Sequence, residues 1–206
     1  MFSGIIEENE KVLKIKTNAK TAQTLEVEIV RPKTFDDIRI GDSIAVNGVC
    51  LTVEAFDQNK MQFTVGPETL KITKWNENKL LNQSVNLERS MKLGDRIHGH
   101  IVSGHVDTVG RVEVAQSNGE AFDIVLSLEK SYQIYFPKKS SWAVSGVSLT
   151  INETNMKDDR VWISSCLIPE TLKRTNLANL KVGQEVNVEI DFMTRTLIHS
   201  YRERFL

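Results

Sequence analysis

The chain has 206 residues, of which 26 are basic and 27 acidic, for a formal net charge of −1; apolar residues make up 40% and charged residues 26%. That is ordinary soluble-domain usage, with no generic electrostatic drive toward nucleic acid or anionic membrane. No apolar run approaches a membrane span, and two cysteines, Cys50 and Cys166, are too few for a disulfide framework.

The opening Met-Phe-Ser-Gly-Ile-Ile-Glu-Glu lacks the basic and long apolar regions of a signal peptide, so a cytoplasmic setting with both thiols free is expected. Leu25-Glu26-Val27-Glu28-Ile29-Val30 then alternates apolar and polar, which predicts a half-buried strand. A short helix is expected over Phe35–Arg39, and another after Pro67-Glu68-Thr69-Leu70. Gly41-Asp42, Gly94-Asp95 and Asn118-Gly119 punctuate the chain as turns. Phe122–Leu126 and Val161–Ile163 are strand-rich, a second short helix follows Pro169-Glu170-Thr171-Leu172, and Glu185–Ile190 alternates again. Short strands broken by such turns predict an antiparallel barrel or sandwich. At the end, Met193, Leu197, Tyr201 and Phe205 recur every four residues with Arg195, Arg202 and Arg204 on other faces, an amphipathic helix. Its apolar stripe must pack on its own domain or on another subunit.

The chain also repeats itself. Ala45–Thr52, Pro67–Lys71, Val85–Glu88 and Ser3-Gly4 return 98, 102, 101 and 100 residues later, in the same order. A period of that length fits a whole small domain, so the expected organisation is residues 1–97, residues 98–190 and a terminal helix over 191–206.

Each copy pairs a glycine turn with a small polar residue, a leucine and a threonine: Gly48-Val49-Cys50-Leu51-Thr52 and Gly146-Val147-Ser148-Leu149-Thr150. On a strand, Cys50 and Thr52 share a face, as do Ser148 and Thr150. Each pair can offer thiol or hydroxyl groups to a flat polar ring, or can simply be buried strand with a surface threonine. His98, His100 and His105 fall within eight residues. Zinc is conceivable there, but no cysteine or carboxylate stands at ligand spacing, and proton transfer in a pocket is the more economical use. Lys139 either reaches a polar ligand or is solvated, and Asp191 either caps the last helix or faces a pocket. Walker A, G-x-G-x-x-G, H-E-x-x-H, G-x-S-x-G and paired CxxC motifs are absent.

At Met1–Glu7, Gly41–Val53, Gly99–Asp107, Ser148–Thr150 and Leu167–Thr171 the chain resembles the riboflavin synthase alpha-chain family, and the likeness runs essentially end to end. The resemblance implies an all-β fold of two similar six-stranded antiparallel Greek-key barrels and a C-terminal α-helix that assembles a homotrimer. It implies dismutation of two 6,7-dimethyl-8-ribityllumazine molecules into riboflavin and 5-amino-6-(D-ribitylamino)uracil, the last step of riboflavin biosynthesis, with no metal and no organic cofactor. The partners it implies are that small molecule and copies of the chain, not nucleic acid or membrane; association with lumazine synthase is left open.

Carried over by position, the first pocket uses Phe2, Gly4, Ile5, Ile6, Ser43, Cys50, Leu51, Thr52, Thr64, Val65, Gly66, Pro67, Glu68 and Thr69. The second uses Gly104, His105, Val106, Lys139, Ser148, Leu149, Thr150, Leu167, Ile168, Pro169, Glu170, Thr171 and Leu172. Cys50, His100, His105, Ser148 and Asp191 are the expected catalytic group. His105 or His100, with Ser148, would relay the proton from the substrate's acidic 7-methyl group; whether Cys50 or water adds to the acceptor ring stays open. The chain departs from the family pattern at His98, Gly66, Lys74, Ser140, Trp142 and Ser145, the last replacing an acidic residue whose loss is expected to weaken contacts near Lys139 or to lower turnover. The rival readings are a non-catalytic binder similar to the lumazine proteins of luminous bacteria and a structural protein on the same fold. Retention of Cys50, His100, His105, Lys139, Ser148 and Thr150 favours the enzyme.

Overall fold

A computed structural model describes residues 1–17 and 24–205. The first half forms a seven-stranded antiparallel sheet from β1 (Glu8–Thr17), β2 (Leu25–Val30), β3 (Ser43–Val46), β4 (Val49–Thr52), β5 (Ala55–Phe56), β6 (Lys60–Val65) and β7 (Ser84–Arg89), in the order β4-β3-β7-β1-β2-β6-β5. The second half repeats that order with β8 (Thr108–Asn118), β9 (Ala121–Glu129), β10 (Ser141–Val144), β11 (Val147–Thr150), β12 (Glu153–Lys157), β13 (Arg160–Leu167) and β14 (Glu185–Ile190). The expected six strands per half are joined by a short seventh, β5 or β12, on the outer side of β6 or β13.

Both sheets curl because their first strand changes partner at a bulge. Glu8–Lys11 of β1 pairs with β7 and Val12–Thr17 with β2, the register shifting between Val12 and Lys14; β8 shifts at the matching place, between Val112 and Val114. A bulge bends a strand and sharpens its twist, so one strand serves two walls. β4 and β11 thereby come back against β6 and β13. Alternating residues fill each interior: Val27, Ile29, Ile44, Met61 and Phe63 in the first core, Leu126, Leu128, Trp142, Val161 and Ile163 in the second.

The helices α1 (Pro67–Thr73), α2 (Glu77–Leu80) and α3 (Pro169–Arg174) lie between β6 and β7 and between β13 and β14. α1 and α3 begin at the proline of the repeated Pro-Glu-Thr-Leu, where a missing N–H costs nothing. Phe35–Arg39 is turn rather than helix: Phe35 and Ile38 are buried in the core, and the Asp42 carboxylate accepts the Arg39 amide at 2.8 Å.

The last helix, α4 (Phe192–Phe205), docks on its own half through Ile198, through Arg195 to Asp107 at 2.7 Å, and through His199 to the Tyr135 hydroxyl at 3.2 Å. The predicted stripe faces outward, with Met193 56%, Leu197 65% and Tyr201 60% exposed. The side chain of Phe205 and the whole of Leu206 lie outside the described residues. Among the described residues no helix is long and apolar enough to cross a membrane.

Candidate functional site

The two halves meet about an approximate two-fold axis. Phe2 and Val102 exchange backbone hydrogen bonds of 2.8 and 3.0 Å, and with Ala45 and Ala143 they form a small apolar cluster on which Cys50 packs. Gly48 and Gly146 touch back to back at φ +78° and +81°: a Cβ on either would fall 2.7 Å from the other's backbone nitrogen.

Across this axis the leading segments are exchanged. Gly4 accepts a 2.8 Å hydrogen bond from the Ser148 amide, and Ile6 is buried in the second core. Reciprocally, Gly104 accepts 2.8 Å from the Cys50 amide, and Val106 packs on the first core. Gly4 and Ile6 thus lie against the Ser148 side and Gly104 and Val106 against the Cys50 side, across the sequence-based grouping, while Phe2 packs in the cluster it shares with Cys50 and Ile5 is exposed. The physical reason lies in β4 and β11, which end their sheets. Their outward amides need acceptors, and the nearest carbonyls belong to the opposite half.

On the first side, Cys50 and Thr52 share the outer face of β4 while Leu51 is buried, and Ser43 pairs with Thr52 across β3 and β4. Thr64 donates to Glu54 at 2.8 Å, Val65 is buried, and Gly66, Pro67, Glu68 and Thr69 lead into α1. A Cβ at Gly66 would meet nothing within 4 Å, whereas its counterpart Ile168 projects 61% exposed. His105 is exposed, and its amide donates to the Ser103 hydroxyl at 3.2 Å.

On the second side, Ser148 and Thr150 share the outer face of β11 with Leu149 buried between them. His100 is 9% exposed, and its Nδ1 lies 2.7 Å from the Ser148 hydroxyl. Burial pushes the imidazole pKa down, partly offset by the negative charge of Asp191, so the ring is neutral near pH 7. Its Nε2 is buried with no hydrogen-bond partner among the described residues. Asp191 accepts the Thr194 amide at 2.7 Å as the cap of α4, and its negative charge opposes the downward shift of His100.

Lys139 is exposed on a left-handed turn at φ 72°, and Ile168, Pro169 and Glu170 are exposed with Thr171 and Leu172 half-buried. The side chains of Phe2, Ile6, Leu51, Val65, Leu149 and Leu167 are core. Ser145 lies at the far end of β10 from Lys139, buried against the other half, where its carbonyl accepts 2.9 Å from the Asn86 side chain. An acid lost there does not bear on Lys139. His98 is exposed, and among the described residues no group of His, Cys, Asp and Glu could hold a metal ion.

Sequence reasoning missed Glu88 and Glu189. Each is buried and takes three hydrogen bonds from the segment that crosses to the other half. Their signal was present in the repeated Val-Asn-Leu-Glu and Val-Asn-Val-Glu, where a carboxylate recurs on strands buried on both faces.

A lumazine binding domain model matches residues 3–90 and again 103–191. The chain is 40% identical to riboflavin synthase of Actinobacillus pleuropneumoniae and 38% identical to that of Bacillus subtilis (strain 168), each match covering 100% of this chain and 90% of the relative. Among solved structures it is similar to LumP complexed with 6,7-dimethyl-8-(1'-D-ribityl) lumazine, at TM-score 0.77 and 25% identity over 92% of this chain and 98% of that one. It is equally similar to LumP complexed with riboflavin, at TM-score 0.78, 25% identity, 92% and 99%.

Proposed function

The chain belongs to the riboflavin synthase family, and from that premise we propose that it dismutates two 6,7-dimethyl-8-ribityllumazine molecules into riboflavin and 5-amino-6-(D-ribitylamino)uracil. The observation that carries this reading is the pair of related sites, one bearing Cys50 and the other the Ser148–His100 pair, since two like pockets suit two identical substrates.

The difficult step is removal of a proton from the 7-methyl group. A neutral, desolvated His100 can take the proton of the Ser148 hydroxyl as that oxygen accepts one from substrate, which is general-base action by a relay. Asp191 steadies the imidazolium that forms. Cys50 faces the second ring as nucleophile or hydrogen-bond donor, with His105 one residue beyond the Gly104 that holds its amide. Orientation supplies much of the remaining acceleration. The scheme uses no metal and no organic cofactor.

The exposed stripe Met193, Leu197 and Tyr201 supports a homotrimer built on α4, with each complete active centre formed by the first half of one subunit and the second half of another. Deleting residues 192–206 is expected to yield monomers with little turnover; sedimentation of a truncated chain that stays trimeric would refute this assembly.

Incubating the purified protein with 6,7-dimethyl-8-ribityllumazine alone and following absorbance tests the activity. Riboflavin is expected at half the molar rate of lumazine loss. Binding without riboflavin would instead support a lumazine carrier, the reading favoured by the likeness to ligand-bound LumP.

A further inference from the structure

Glu88 on β7 and Glu189 on β14 are 4% and 2% exposed, and neither touches the thiol or hydroxyl of a candidate site. Each nevertheless begins a short chain of hydrogen bonds that ends there. One Glu88 oxygen accepts the Ser3 amide at 2.7 Å and the Ser3 hydroxyl at 2.8 Å, and the other accepts the Gly4 amide at 3.0 Å. The Gly4 carbonyl in turn holds the Ser148 amide. Glu189 accepts the Ser103 amide and hydroxyl, both at 2.6 Å, and the Gly104 amide at 3.0 Å, and the Gly104 carbonyl holds the Cys50 amide. The first chain starts in the first sheet and ends in the second; the other runs the opposite way.

We propose that Glu88 and Glu189 are positioning residues that act crosswise, each fixing the ligand site on the other half's edge strand. This rests on the assignment of lumazine sites at Ser148 and Cys50. Three donors converge on two oxygens, so only a carboxylate satisfies them all. A glutamine turns its NH2 toward either the glycine amide or the serine pair, leaving a buried donor facing a donor. Tolerance at the far end of each chain is small, since a Cβ on Gly4 would lie 2.7 Å from the Ser148 Cβ and one on Gly104 would lie 2.6 Å from the Cys50 Cβ. A crossing segment that loosens shifts the site residue bound to it.

The test titrates wild type and variants with 6,7-dimethyl-8-ribityllumazine by its fluorescence, read on rapid mixing before turnover. Wild type is expected to bind two per chain. E88Q should weaken one of them roughly tenfold and spare the other, E189Q should do the reverse, and the double variant should weaken both. E88Q combined with Ser148→Ala should still weaken only one ligand, whereas E189Q with Ser148→Ala should weaken both. A merely structural carboxylate would lower the melting midpoint and weaken both ligands alike. That result, unchanged affinities, or E88Q acting on the Cys50 ligand would overturn the crosswise assignment. Should E88Q fail to fold, Ser3→Ala removes one of the three bonds and keeps the carboxylate. A loss of about threefold confined to the Ser148 ligand is then expected, and no selective loss sinks the proposal. A wild type that binds no lumazine brings down the functional reading, and the crosswise role with it.

Discussion

The two halves of the chain share a strand order, a bulge, a glycine-held edge strand and a buried carboxylate, yet they carry different chemistry. In the second half the edge-strand hydroxyl of Ser148 contacts a buried imidazole, and Asp191 acts on that ring; Asp191 matches Ser90 in the repeat. In the first half Cys50 has no imidazole hydrogen-bonded to it among the described residues. The interiors differ in a compensating way. Trp142 and Ser165 fill the volume that Ile44 and Phe63 fill in the first half, with the indole N–H donating to the Ser165 hydroxyl at 2.9 Å. Duplication preserved what the backbone requires and released what only one pocket uses.

The shared frame can be broken at its axis. Gly48→Ala places a methyl on the backbone of Gly146 at a positive φ, and a loss of about 3 kcal/mol or more is expected in denaturant unfolding, with both sites damaged together. If only one site suffers, the halves do not share a frame. Next in size, Ser148→Ala should lower turnover about 10²-fold, close to 2.7 kcal/mol of barrier, without loss of stability. Cys50→Ser, nearly isosteric, tests the other half in the same assay: a rate equal to wild type would remove Cys50 from the chemistry.

The interiors make a smaller test. Trp142→Ile should cost about 2 kcal/mol through the void it leaves, and adding Ser165→Phe should recover about half or more, because the pair then matches Ile44 and Phe63. Failure of the double variant to recover would show that the compensation is coincidental. The smallest effect concerns pH. Burial raises the Glu88 pKa from 4.5 to about 6, so the folded chain takes up a proton before the unfolded chain does. Glu88 should therefore add stability as pH falls through that window, by at most ~2 kcal/mol, and E88Q should reduce the rise without removing the part due to Glu189, whose pKa burial also raises. Glu185 behaves oppositely. Its salt bridges to Lys74 and Lys79 hold it down at about 2, so its contribution is full above 4.5 and is lost as pH falls toward 2. A stability curve that only falls on acidification would contradict the Glu88 assignment.

Much of this was legible from residue order. The alternation in Leu25–Val30 and Glu185–Ile190 marked strands, the prolines of the two Pro-Glu-Thr-Leu runs marked helix starts, and the collinear repeats marked two like domains. The Phe35–Arg39 segment misled because its apolar residues plug the core from a turn. The spacing of Met193, Leu197 and Tyr201 identified a helix with an apolar stripe, but docking through Ile198 and His199 left that stripe outward.

The chain's own order thus determined the fold class and the duplication, because periodicity and turn chemistry are local properties of the backbone. Which segment lies against which edge strand was decided only in three dimensions. A repeat aligns equally well with its own half or with the opposite one, and the choice fell to edge-strand amides seeking acceptors across the axis. The same holds for Glu88 and Glu189, whose role follows from the donors that surround them and not from their place in the sequence.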